Sequence, residues 1–135
     1  MPRPPRVLPS IDGPDAFFWT SGADGRLRFL CCSACSYFIH PPAPYCPQCG
    51  GRRAAPVPVA GRGELYSYTV NHQPWDGTDE SYIIGVAAMD EQPDLRLLTE
   101  LVDVAAADVR IGMPVEVVFE EYPPVFLPLF RPAAS

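Results

Sequence analysis

Polar and apolar positions divide the chain into an irregular first part and a strand-like second part. Residues 1–11 hold four prolines and no periodicity, and so predict an extended arm. Asp12-Gly13-Pro14-Asp15 then reads as a helix start, with Asp12 as candidate cap and Pro14 in the first turn. The helix is expected to run through Ala16-Phe17-Phe18-Trp19-Thr20 and to stop near Gly22. Three adjacent aromatics cannot share one face of so short a helix. Some of Phe17, Phe18 and Trp19 must therefore meet another surface, either of this chain or of a second one. Gly25 to Leu30 alternates as a strand, whereas Pro56-Val57-Pro58-Val59 reads as a connector.

From residue 61 onward the pattern becomes one of repeated strands. Gly63 to Val70 is rich in β-formers, and the glycines ahead of it suit a bulged, strongly curved strand. Further strands are expected at 82–89, where Gly85 permits a bend, at 95–101 and at 115–120. Residues 104–109 suggest a helical turn, and Pro123 to Arg131 is apolar, extended and confined by three prolines to an edge or a barrel closure. Five β-segments with a curved first strand and a short helical insert before the fourth match an OB-type barrel, with a small SH3-like barrel as the alternative. The expected class is mainly β: an N-terminal arm and helix over 1–24, a cysteine-bearing ribbon over 25–60 and a five-stranded barrel over 61–132.

The strongest chemical signal is Cys32-x-x-Cys35 followed, ten residues later, by Cys46-x-x-Cys49-Gly50. Two such pairs bring four soft sulfur ligands around one metal, and zinc is the usual occupant of an all-thiolate cage. Gly50 supplies a residue tolerant of positive φ to the second turn. Disulfides are disfavoured because Met1-Pro2-Arg3-Pro4-Pro5-Arg6 resembles no secretory signal, and a thioredoxin-like site lacks its βαβ context. Cys31 abuts Cys32, but the two symmetric spacings select Cys32 as the ligand. His40 reads as a loop histidine.

Composition narrows the function classes. No apolar run approaches the roughly 20 residues that span a bilayer, and the reduced cysteines fit a cytoplasmic protein. Residues 1–62 carry seven Arg against three Asp, whereas residues 63–135 carry three Arg against thirteen Asp and Glu. The acidic barrel repels phosphate backbones, which weighs against nucleic acid as a partner. Arg26, Arg28, Arg52 and Arg53 flank the cysteines; their plain reading is a solvated rim around a negative metal site.

The order of these motifs resembles that of the DUF35 family. The residues that carry the resemblance are Gly25-Arg26-Leu27, the four cysteines with Pro41-Pro42 between them, Gly61-Arg62-Gly63-Glu64-Leu65-Tyr66-Ser67-Tyr68-Thr69, Ile111-Gly112-Met113-Pro114-Val115 and Leu127-Pro128-Leu129-Phe130-Arg131-Pro132. Together they span roughly residues 13–132. The resemblance implies a rubredoxin-like zinc ribbon on an OB-fold barrel, and a partner of thiolase-like enzymes or steroid side-chain aldolases that handles acyl-CoA thioesters in a hetero-oligomer. Ser36 stands where the family often has Gly, and Ala43 where an Arg commonly follows the paired prolines.

Four thiolates leave zinc no open position, so its expected role is structural and the isolated chain is not expected to be an enzyme. Phe17, Phe18, Trp19, Val125, Phe126, Leu127, Leu129 and Phe130 are candidate partner contacts, and Arg26, Arg28, Arg52 and Arg53 are candidates for CoA phosphates. The loop 71–80 places His72 near three carboxylates and reads chiefly as a surface or partner-contacting loop. The leading reading is a non-catalytic accessory subunit. A free-standing acyl-CoA or lipid carrier and, by fold analogy alone, a nucleic-acid-binding module are the alternatives.

Overall fold

In a computed structural model, which describes residues 7–72 and 81–133, two β-systems meet in one apolar core. The chain begins with a single helical turn, α1 (Ala16–Thr20), continued by a 3₁₀ turn over Ser21–Asp24 that ends at Gly25 with φ 81°. Asp15, not Asp12, occupies the cap position, and it makes no capping bond. Its carboxylate accepts instead from Trp19 Nε1 at 3.1 Å, while Asp12 turns back on Ser10. The aromatic stretch is thus held by a side-chain bond across one turn.

β1 (Arg28–Cys32) pairs on one side with β2 (Phe38–Ile39) and on the other with β3 (Ala54–Pro58), giving a three-stranded antiparallel sheet in the order β2-β1-β3. The segment expected as a connector is therefore a strand. Pro56 and Pro58 suit it only as an edge, where missing N–H groups leave no ladder bond unmade and also discourage a further strand.

The barrel contains β4 (Arg62–Asn71), β5 (Tyr82–Met89), β6 (Arg96–Leu101), β7 (Pro114–Tyr122) and β8 (Val125–Pro132). It closes in the order β4-β5-β6-β8-β7, with a 3₁₀ turn over Ala106–Asp108 before β7. β5 shows why: Ile83, Gly85, Ala87 and Met89 point inward and alternate with less buried neighbours. β4 carries the expected bulge between Leu65 and Ser67. A Cβ on Gly63 would stand 2.2 Å from the Ala88 carbonyl oxygen, so only glycine permits this closeness of β4 to β5.

The last strand closes the barrel, as its prolines required. β8 pairs with β7 along its whole length but with β6 through Leu101 and Phe130 alone. Pro128 has no N–H to offer β6, and Thr99 Oγ1 donates to the Pro128 carbonyl at 3.1 Å in place of a ladder bond. Phe18, Leu27 and Phe29 join Leu65, Leu97, Leu101, Val115 and Phe130 in a single cluster, so the helix and the near end of the ribbon belong to the barrel's core. Among the described residues no helix is long and apolar enough to cross a membrane.

Candidate metal centre and the ribbon–barrel junction

Each Cys-x-x-Cys pair forms a tight knuckle, and the two are built alike. The amide of Ser36 donates to the Cys32 carbonyl at 2.9 Å and that of Gly50 to the Cys46 carbonyl at 2.8 Å. Both residues take a left-handed conformation, with φ 65° at Ser36 and 79° at Gly50. Glycine serves the second knuckle without strain, while the first places a Cβ in a region that disfavours one.

The knuckles bring the sulfurs of Cys32, Cys35, Cys46 and Cys49 within 4.8 Å of one another. Cys32 and Cys49 stand 3.6 Å apart and Cys35 and Cys46 3.7 Å, close to the edge of roughly 3.8 Å that a zinc–sulfur bond of about 2.3 Å implies for a tetrahedron. Backbone amides support the negative charge: Gln48 donates to Cys46 Sγ and Gly51 to Cys49 Sγ, each at 3.4 Å. The Cys35 and Ala34 amides lower the Cys32 thiol to about 7, whereas the Tyr37 amide that lowers the Cys35 thiol is outweighed by burial and the neighbouring thiols, which push it up to about 12. The four residues fit one structural zinc. Cys31 lies outside them, opposite Phe38 and Ala55 in the sheet, and burial pushes its thiol up.

The four arginines do not form one cluster. Arg28 donates to both carboxylate oxygens of Asp24, at 2.9 and 2.6 Å, and to the Ser21 carbonyl. That bond, ahead of smaller causes, holds the Asp24 carboxyl at about 2. Arg53 precedes Ala54, which pairs with Cys32, whereas Arg28 lies opposite Pro58. By strand rise the Arg28 end and the zinc end of β1 are roughly 13 Å apart. Arg26, Arg52 and Arg53 are exposed.

The candidate partner contacts separate into two groups. Phe18, Val125, Leu129 and Phe130 are buried within the chain. Phe17, Trp19, Phe126 and Leu127 are half-buried. His72 is exposed, but residues 73–80 lie outside the described residues, and with them the three carboxylates expected near it.

Several groups at the junction carried no signal in the sequence. His40 follows β2 in a bend, as a loop histidine, but it is half-buried there, 5.2 Å from the Phe18 ring and 5.0 Å from that of Phe29. Burial pushes its imidazole below the usual value. Gln92, in the turn after β5, accepts from the Phe38 amide at 2.8 Å and donates to the Phe38 carbonyl at 3.0 Å, so its side chain acts as a further strand beside β2. Tyr37 donates to Asp94 nearby. These bonds join positions 54 and 57 residues apart, a separation that no local motif encodes.

Two family profiles match the chain, the ChsH2 rubredoxin-like zinc ribbon domain over residues 19–54 and the ChsH2 C-terminal OB-fold domain over residues 56–120. The chain is 37% identical over 134 residues to a probable enoyl-CoA hydratase alpha subunit of Thermomonospora curvata, covering 98% of this chain and 41% of that protein. It is 32% identical over 91 residues to a DUF35 domain-containing scaffold protein of Methanocaldococcus jannaschii, covering 65% and 63%. This chain thus spans about two-fifths of the hydratase subunit's length. A solved structure described as the Ltp2-ChsH2(DUF35) aldolase contains a chain that superposes with a TM-score of 0.83 at 37% identity, covering 94% of this chain and 100% of that one. A four-cysteine ribbon, a closed barrel sharing its core, and likeness along nearly the whole length together place this chain in the ChsH2-type DUF35 family of zinc-ribbon and OB-fold proteins.

Proposed function

We propose that this chain is a non-catalytic accessory subunit that docks on an aldolase or thiolase-like enzyme and helps to assemble it or to present its acyl-CoA substrate. The observation that carries this reading is the likeness to a chain of an aldolase complex over that chain's entire length. The metal chemistry agrees. A zinc closed by four thiolates holds the ribbon together and has no position at which to activate water or a carbonyl. Arg26, Arg52 and Arg53 are the cations proposed for CoA phosphates; Arg28 is the weaker choice because Asp24 already engages it.

The test is to mix the purified chain with the Ltp2 aldolase chain, separate the mixture by size exclusion, and measure acyl-CoA turnover with and without it. A stable complex with altered turnover is expected. Separate elution with unchanged turnover would sink the accessory reading, and direct binding of a CoA ester to the isolated chain would then favour a carrier.

A further inference from the structure

We propose that the cleft between α1, the Pro41–Pro42 ridge and the outer edge of β6 receives an extended, cationic and otherwise apolar segment of the partner enzyme. This rests on the accessory-subunit reading and says where, and by what chemistry, that partner is held. The cleft measures about 240 Å³ and is walled by Trp19, His40, Pro41, Pro42, Leu98 and Pro128.

Its origin lies in the barrel seam. Because β8 meets β6 through Leu101 alone, the part of β6 from Arg96 to Leu98 has β5 on one side and, among the described residues, no strand on the other. Leu98 stands there with 70% of its surface exposed, beside the half-buried Trp19. A strand edge next to an exposed leucine and an indole suits an extended chain, whose backbone takes the open hydrogen-bonding positions while its side chains fill the cleft.

Charge selects the occupant. Among the described residues Asp15 is the one charged residue lining this cleft, and its Oδ2 already accepts from Trp19. Across the Pro41–Pro42 ridge a second cleft of about 310 Å³ is lined by Asp94. Among the described residues neither is lined by Lys or Arg, and the nearby Arg96 stacks over the Tyr66 ring at 4.0 Å. A segment entering beside Asp15 is thus favoured when it brings an Arg or Lys, and an anionic group such as a CoA phosphate is disfavoured there.

The experiment measures the affinity of the full-length chain for the Ltp2 aldolase chain at two salt concentrations, for the wild type, Leu98→Arg, Asp15→Asn and Ile111→Arg. Leu98 and Ile111 are both exposed, so neither change disturbs the core, and unfolding temperature and zinc content check each variant. Leu98→Arg is expected to weaken binding at least about tenfold, and Asp15→Asn to weaken it by roughly threefold to tenfold with a shallower salt dependence. Ile111→Arg should match the wild type. Undiminished affinity of Leu98→Arg overturns the cleft assignment while leaving the accessory reading intact. An Asp15→Asn variant that binds as tightly and with the same salt dependence overturns the cationic occupant. Self-association of the wild type that Leu98→Arg abolishes assigns the cleft to a second copy and overturns the proposal. Failure of the wild type to bind removes the accessory reading and the occupant with it.

Discussion

The ribbon buries a cluster of only Cys32, Ile39 and Cys46 of its own, whereas the barrel closes around a continuous apolar core that includes Leu65, Ala87, Leu97, Leu101, Val115 and Phe130. Two of the ribbon's buried residues are metal ligands, and all of β3 is exposed. Ladders run along every seam of the barrel except that of β6 with β8, and β5 buries every second residue, so the barrel's order follows from hydrophobic burial and hydrogen bonding without a metal. The contrast teaches that one short chain combines a metal-dependent unit with a metal-independent one, with Leu27 and Phe29 as the shared apolar members and Gln92 as the polar link.

The largest expected effect separates the two units. Removing zinc with a chelator, or changing Cys46 to Ser, deletes a site worth about 10 to 16 kcal/mol of apparent binding free energy. Amides of β1 to β3 should then exchange rapidly while those of β5 and β7 stay protected; simultaneous loss of both patterns would break the contrast. Phe130→Ala tests the other side. Phe130 is wholly buried, and its truncation should cost about 3 to 5 kcal/mol in thermal or denaturant unfolding while zinc stoichiometry stays at one.

Gln92→Ala addresses the joint between them. It withdraws both bonds to Phe38, should cost about 1 to 2 kcal/mol, and should raise exchange at β2 without altering the barrel. Ser36→Gly should stabilise the first knuckle by about 1 kcal/mol, seen as a higher midpoint for ribbon unfolding. The smallest effect concerns pH. Because burial lowers the His40 value in the folded chain, the unfolded chain binds a proton first as pH falls below about 6.5, and stability declines from there toward the lowered folded value. His40→Gln should flatten the part of the pH profile between 7 and 5 that His40 contributes, measured as the difference from wild type at saturating zinc.

The metal site was readable in full because both pairs are local: each knuckle is a turn of a few residues, and the ten-residue spacing closes the set. Four of the barrel strands were readable from β-forming composition and alternation, and the last from prolines that confine it to an edge or a barrel closure. β3 was missed because Pro56-Val57-Pro58 resembles a linker; pairing with Arg28 to Cys32 makes it a strand, an interaction across more than twenty residues. The aromatic helix was seen, but the individual fates of its rings were not. Phe18 is buried and Trp19 only half-buried because the barrel wall lies on one side of α1, and no local pattern states where that wall will stand.

The sequence by itself determined the ligand set, the presence of the five barrel strands and the acidic character of the barrel, because each depends on residue type and short spacing. Tertiary structure alone decided that Phe130 turns into the core while Leu129 is also covered, that His40 packs on both Phe18 and Phe29, that Gln92 holds Phe38 and Asp94 holds Tyr37, and that a proline in β8 leaves one edge of β6 open. Those outcomes depend on contacts between residues distant in the chain, and such contacts are fixed only when the barrel closes and the ribbon is seated against it.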